Sequence, residues 1–380
     1  MNSRDRVLAA LCFEETDRIP IYDTIWEATV SRWKSEGLPT DISASEYFDF
    51  DMVWFGADTS PLFEVETMEE TEKYIIERTP FGGIRRNHKD LSGTPEIIDY
   101  ACKTRADWEK IKDRLTPGPH RVDWQGTWAY GWDAASGNSP PDSISIRGKQ
   151  EFRSGLPGNQ IAYKQEKFLC YFAVVGFDKV MNYIKTDQAL IAVATDPDWL
   201  MDMYQVDTDL VVNMCELMRN GGFHFDAAFL CCDLGYRSGT FFSPHHYKTQ
   251  LQSTMKRLID YFHGANMKVI LHSCGQVHSL IPFFVEAGLD CLQPLEVKAG
   301  MDLVALKQQW HKKIAFMGGI DVRTMADPNP SIIEDEISNK LPVAKRGGGY
   351  IYHSDHSVPN DVSFRQYQHV QELVRKYGAY

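Results

Sequence analysis

No stretch of this 380-residue chain approaches the roughly 20 consecutive apolar positions that a helix needs to cross a bilayer, which excludes a helical membrane span. Basic charge is also short: 40 Lys and Arg stand against 52 Asp and Glu, a formal net charge of −12. Nucleic-acid binders carry basic stripes, so nucleic acid is excluded as a partner. The one clustered basic stretch, Arg85-Arg86-Asn87-His88-Lys89, is too short to change that and reads as a solvated loop. The eight cysteines, at 12, 102, 170, 215, 231, 232, 274 and 291, lack the spacing of a small disulfide-stapled domain. Most lie in apolar runs, so reduced thiols are expected. The opening Met1-Asn-Ser-Arg-Asp-Arg-Val-Leu8 has no long apolar segment of a secretory signal, and a cytoplasmic protein is expected. Phosphate-loop chemistry is missing too. Gly347-Gly348-Gly349 lacks the following Lys-Ser/Thr, and neither a Gly-x-Ser-x-Gly elbow nor a kinase signature is present.

What the chain does have is a hydrophobic content of 43%, ample for a large core, and a regular alternation of short β-rich runs with amphipathic stretches. Candidate strands fall at residues 19–23, 52–57, 168–174, 226–232, 268–271, 291–294, 314–317 and 350–352. Helices are predicted at 244–264, where Leu251, Met255, Leu258, Ile259 and Phe262 share a face, and at 277–288, 301–310 and 331–341. Repeating strand–helix units imply a parallel sheet with right-handed crossovers. About eight of them favour an α/β fold of the (β/α)8 TIM-barrel type over a doubly wound sheet. No repeat or linker divides the chain, so one domain over 1–380 is expected. The N-terminal half carries an extended insertion rich in loops and hairpins. A hairpin turns at Phe81-Gly82-Gly83, and residues 131–158 are rich in Gly, Pro, Ser and Asn. Trp124, Trp128 and Trp132 recur every four residues, as a helix face packed on the barrel or as an aromatic wall over the active site.

In a parallel barrel the chemistry sits at the C-terminal ends of the strands. Five consecutive candidate strands end in titratable groups there: Asp233, with Tyr236 and Arg237 beyond it; His272 and Cys274; Glu296; Asp321; and His353, Asp355 and His356. The sharpest is Lys268-Val-Ile-Leu-His-Ser-Cys-Gly275. Alternate strand residues point the same way, so His272 and Cys274 can share a face, and imidazole and thiolate are the ligands zinc prefers. Duller readings stand beside each. A packing histidine and an inert thiol would explain the pair, Asp233 and Asp321 can cap helices, and Glu296 can meet Lys298. Asp355 can fix a turn with His356, or orient a histidine beside a metal.

These fragments, together with Ser3-Arg-Asp-Arg-Val-Leu-Ala-Ala-Leu, Glu14-Glu-Thr-Asp-Arg-Ile-Pro20, Thr94-Pro95-Glu96, Asp107-Trp108-Glu109-Lys110, Ala287-Gly288-Leu-Asp290 and Gly318-Gly319-Ile-Asp321, resemble the uroporphyrinogen decarboxylase superfamily in order and spacing. The resemblance runs essentially end to end and implies a single (β/α)8 barrel. The decarboxylases of that family carry an Arg-Gln-Ala-Gly-Arg segment after the first strand that grips substrate carboxylates. Here the region is Tyr22-Asp23-Thr24-Ile25-Trp26-Glu27, which would repel them. The other branch, the cobamide-dependent methyltransferases, uses His-x-Cys-Gly and a later cysteine before a proline as zinc ligands. His272 and Cys274 match the first two, and His356 stands where the last cysteine falls.

The resemblance therefore implies zinc on His272, Cys274 and His356, with Glu296 as a displaceable ligand and Asp233, Asp355 and Glu296 as the site's acids. The activity implied is methyl transfer between a small substrate, a methyl ether or a thiol, and a corrinoid. No Asp-x-His-x-x-Gly cobalamin segment is present, so a partner protein carries the corrinoid. Trp26, Trp54, Phe55 and Tyr236 could line a slot for a flat ring, with Asp58 on the substrate side and Arg237 on a carboxylate. Two other readings stay open: a decarboxylase or lyase in which Asp58 or Asp233 stabilises a protonated ring, and a noncatalytic corrinoid-docking partner. The oligomeric state is open, a homodimer included.

Overall fold

The structure, a computed structural model, describes residues 1–89, 95–129, 132–133 and 154–380. Seven parallel strands pair in chain order: β1 (Met52–Phe55), β2 (Phe168–Val174), β3 (Ala227–Cys231), β4 (Lys268–His272), β5 (Cys291–Gln293), β6 (Ala315–Met317) and β7 (Tyr350–Ile351). The eighth position belongs to residues 19–23. Ile21 bridges Tyr352 in parallel, and its carbonyl accepts the Asp51 N–H at 2.8 Å just before β1. This is the TIM-barrel architecture that the alternation predicts. β2 shows why these runs become strands: Phe-Leu-Cys-Tyr-Phe-Ala-Val is buried along almost its whole length, as a strand covered on both faces must be.

Elements beyond the barrel follow local rules. The helix Gln252–Gly264 buries Met255, Leu258, Ile259 and Phe262, the face read from spacing. The helix Ile281–Ala287 ends at Gly288 in the left-handed region, φ +88°. Inside the lumen, Trp54 lies 4.1 Å from Phe229, 5.5 Å from Phe172 and 4.8 Å from Tyr22, ring centre to ring centre. These rings form an apolar floor below the strand ends. At the opposite end Asp51, fully buried, accepts from Arg6 Nη1, Arg18 Nη1 and the Ile21 N–H, each at 2.7 Å. That bundle of charge-assisted bonds pins the closing segment to the barrel's N-terminal side.

Between β1 and β2 the expected insertion is present as a four-stranded antiparallel sheet of Glu66–Glu70, Tyr74–Arg78, Ile84–His88 and Glu96–Asp99. The hairpin turns at Phe81-Gly82-Gly83 with Gly82 at φ +79°. The basic run predicted as a loop is a strand of this sheet. Arg85 is buried there on Glu77 at 2.6 Å, a pairing that a reading of surface charge does not foresee. Lys179, also buried, ties the insertion to the barrel through Thr59 O and Oγ1 (3.0 and 2.8 Å) and lies 4.7 Å over the Phe81 ring.

The helical reading of the tryptophan repeat does not hold. Trp128–Ala129 pairs with Trp132–Asp133 as a short antiparallel ladder, and Trp124 packs edge-on against Phe223. Most of the Gly- and Pro-rich stretch 131–158 lies outside the described residues. Among the described residues, no helix is long and apolar enough to cross a membrane.

Candidate active site

β4 lies between β3 and β5, and the register pairs His272 with Cys231 on one side and Gln293 on the other. His272 turns into the lumen, its ring 6.4 Å from Phe229. Past the strand end the chain turns at Gly275, whose φ of +79° favours glycine. A Cβ there would lie 2.4 Å from the Gly235 carbonyl carbon, so this turn and the Gly235–Tyr236 strand interlock backbone to backbone. Leu234 N–H donates to Ser273 Oγ at 3.0 Å and Gln276 N–H to Tyr236 O at 2.8 Å. The strand ends after β3 and β4 are thus held as one unit.

That unit gathers three side chains of types able to ligate a metal. Cys274 Sγ lies 3.3 Å from His272 Nε2, and Asp233 Oδ1 lies 3.5 Å from the same nitrogen while accepting the Cys274 N–H at 2.8 Å. One ligand atom from each of Asp233, His272 and Cys274 falls within 4.8 Å of the others, the one such group among the described residues. His272 keeps 25% of its side-chain exposure and Asp233 34%, so the group opens to solutes. The Cys274 thiol is pushed well above its ordinary pKa by burial first, then by Asp233, Glu296, Cys231 and Asp178. A divalent cation would reverse that electrostatic cost.

Around the group the supports are specific. His272 Nδ1 meets Gln293 Oε1 at 2.5 Å, and Gln293 Nε2 lies 3.3 Å from His353 Nε2. Burial lowers His353 to about 3, so it is neutral and its 3.5 Å approach to Asp23 is not an ion pair. Glu296 accepts the Gly275 N–H at 2.6 Å and meets Lys298 at 2.9 Å. Asp355, raised to about 6 mainly by burial, accepts the N–H groups of Val297 and Val322 at 2.9 and 3.0 Å and so braces two neighbouring loops.

The remaining predicted residues scatter. His356, expected as the third ligand, lies outside the group and stacks on Trp26 with ring centres 6.3 Å apart; Asp233 takes the third place. Asp58 is buried and accepts the Ser60 N–H at 2.9 Å, while Tyr236 and Arg237 stand exposed on the Gly235–Thr240 hairpin. Trp54 is lumen floor, and Phe55 points away from it into the outer core against Phe223. Asp321 caps the helix Val322–Met325.

Three neighbours escaped sequence reasoning. Asp178 accepts the Asp233 backbone N–H, its pKa raised well above the ordinary range by burial and then by Asp233. In sequence it is one more acid in a helix's first turn. Gln293 and Cys231 flank His272 only through the cross-strand register, and no local signal marks either.

A parallel barrel with an imidazole, a thiol and a carboxylate converging at the C-terminal ends of its strands is the arrangement these residues build. The chain belongs to the uroporphyrinogen decarboxylase family, whose model, uroporphyrinogen decarboxylase (URO-D), matches residues 172–377. Among solved structures it is similar to a methyltransferase from Methanosarcina mazei, with a TM-score of 0.63 at 13% identity over 100% of both chains. A B12-independent methionine synthase from a Shewanella species aligns at a TM-score of 0.40 and 10% identity, over 59% of this chain and 64% of that one. The first likeness establishes the fold; the second is too distant to argue from. No curated protein matches the chain.

Proposed function

We propose that this chain is a zinc-assisted methyltransferase of the corrinoid-using kind. It would move a methyl group between a small methyl ether or thiol and a corrinoid held by a partner protein. The observation that carries the reading is the convergence of Asp233, His272 and Cys274 within 4.8 Å at the mouth of a barrel of this family. The donor set fits: nitrogen, sulfur and oxygen are the atoms zinc takes, and a catalytic site needs three protein ligands and an open position. When bound, zinc supplies a Lewis acid for the substrate oxygen or sulfur.

The chain's own residues do the rest. His272 and Cys274 grip from one strand end and Asp233 from the next. Gln293 fixes the imidazole, and Glu296 fixes the turn through the Gly275 N–H. The floor of Trp54, Phe172 and Phe229 excludes water from below and offers a flat apolar surface for a methoxylated ring. Trp26, Asp58, Tyr236 and Arg237 are assigned to the substrate side, and His356 to that wall with Trp26. Asp355 positions loops here, apart from the reacting atoms. We place all of this in one barrel domain over 1–380, working in the cytoplasm.

The test is metal analysis of the full chain and its Cys274→Ser variant, alongside methyl transfer from methoxylated aromatics or to thiols with a corrinoid protein. The expected result is about one zinc per wild-type chain and loss of both metal and transfer in the variant. Metal-free wild type that still transfers methyl groups removes zinc from the reading. Carbon dioxide release from a porphyrinogen, unchanged by Cys274→Ser, replaces it with decarboxylation.

A further inference from the structure

We infer that Cys231 is a second thiolate ligand of this metal centre, so that two adjacent strands supply two sulfurs and one imidazole as fixed ligands and one carboxylate as the ligand a substrate displaces. The inference rests on the metal-centre reading above and adds a residue to it. Cys231 is the Cα register partner of His272 on the neighbouring parallel strand, and paired residues project to the same face. Two positions earlier on β3, Phe229 stacks into the lumen on Trp54, which fixes that face as the inner one. The neighbour Cys232 points the other way: its Sγ packs against Gly176, and it is fully buried. Cys231 and Cys274 are the two half-buried cysteines; Cys12 is exposed and the other five are buried. Thus of the eight thiols, these two are the partly exposed ones at neighbouring strand ends.

Electrostatics identify the same company. Cys231 and Cys274 lie within electrostatic reach of each other, with Asp178 and Asp233 beside both. Two thiols and two aspartates facing one another disfavour any anion there unless a cation joins them, and soft thiolates select zinc among the common divalent ions. The Cys231 Sγ stands outside the tight triad, and its Cα is level with His272 across the register, so ligation requires the side chain to turn toward that group.

The experiment loads the full-length protein with cobalt(II) and counts sulfur ligands by X-ray absorption and by sulfur-to-cobalt charge-transfer intensity. Wild type should show two sulfurs, Cys231→Ser one, Cys274→Ser one, and Cys12→Ser two. Zinc affinity should fall at least tenfold in Cys231→Ser, in the range seen when a residue that tunes a metal site is lost. Should Cys231→Ser not fold, wild type alone decides: zinc should shield both Cys231 and Cys274 from a methanethiosulfonate reagent in peptide mapping. One sulfur in wild type, or shielding of Cys274 alone, overturns the role of Cys231 and leaves the metal centre standing. A wild-type chain that takes up neither ion overturns both.

Discussion

Replacing Gln293 with leucine should loosen the proposed metal centre without touching a proposed ligand. Gln293 is buried, and its amide spans two histidines. On one side His353 Nδ1 lies 2.5 Å from the Ser354 carbonyl, so that nitrogen carries the proton and Nε2 is left as an acceptor. Gln293 Nε2, 3.3 Å from that acceptor, donates to it, which turns Oε1 toward His272 Nδ1 at 2.5 Å. His272 is therefore held in the tautomer whose bare Nε2 faces Cys274 and Asp233 at 3.3 and 3.5 Å. Leucine keeps roughly the volume but leaves the His272 N–H unpaired, a cost of about 1–3 kcal/mol. Loss of such an outer partner weakens metal binding about 10–100-fold, which is about 1.4–2.7 kcal/mol. Chelator competition measures the affinity, and nitrogen-15 correlation spectra of the histidine rings report the tautomer. Wild-type zinc affinity in Gln293→Leu, or a protonated His272 Nε2 in the apo wild type, would refute the reasoning.

Three further outcomes follow from the same geometry. Asp23, fully buried among Ser354, Tyr352 and Tyr367, has its pKa raised by burial from 3.8 to about 7. Its stabilising share is complete below pH 4 and lost as pH rises through about 7, roughly 4 kcal/mol in all. Urea titrations from pH 5 to 8 should show Asp23→Asn gaining on wild type as pH rises; parallel curves would remove Asp23 as the cause. Gly275→Ala should lower both Tm and metal content, because φ is +79° and the new Cβ meets Gly235 at 2.4 Å; an unchanged metal content would show that the turn does not position Cys274. Trp54→Ala should cost about 3–5 kcal/mol by emptying the lumen floor, read by denaturant midpoint, and a loss under 1 kcal/mol would mean that Phe172 and Phe229 close the gap.

Much of the barrel was legible because each strand is short, apolar and followed by a helix with one greasy face, a pattern written in consecutive residues. The spacing of His272 and Cys274 was legible for the same reason: both lie within three positions of one strand end. The part that was not legible is lateral. Asp233, read as a helix cap or acid, becomes the third member of the group because the strand ends after β3 and β4 interlock at Gly235 and Gly275. His356, placed in the ligand set by resemblance, turns aside to stack on Trp26, since its loop is set by Asp23 and Asp355. Cys231 and Gln293 border His272 through register alone, and register depends on how far each crossover helix carries the chain before it re-enters the sheet. A site assembled at strand ends is therefore half written along the chain and half across it. The half across it decides whether the proposed metal centre would hold one sulfur or two.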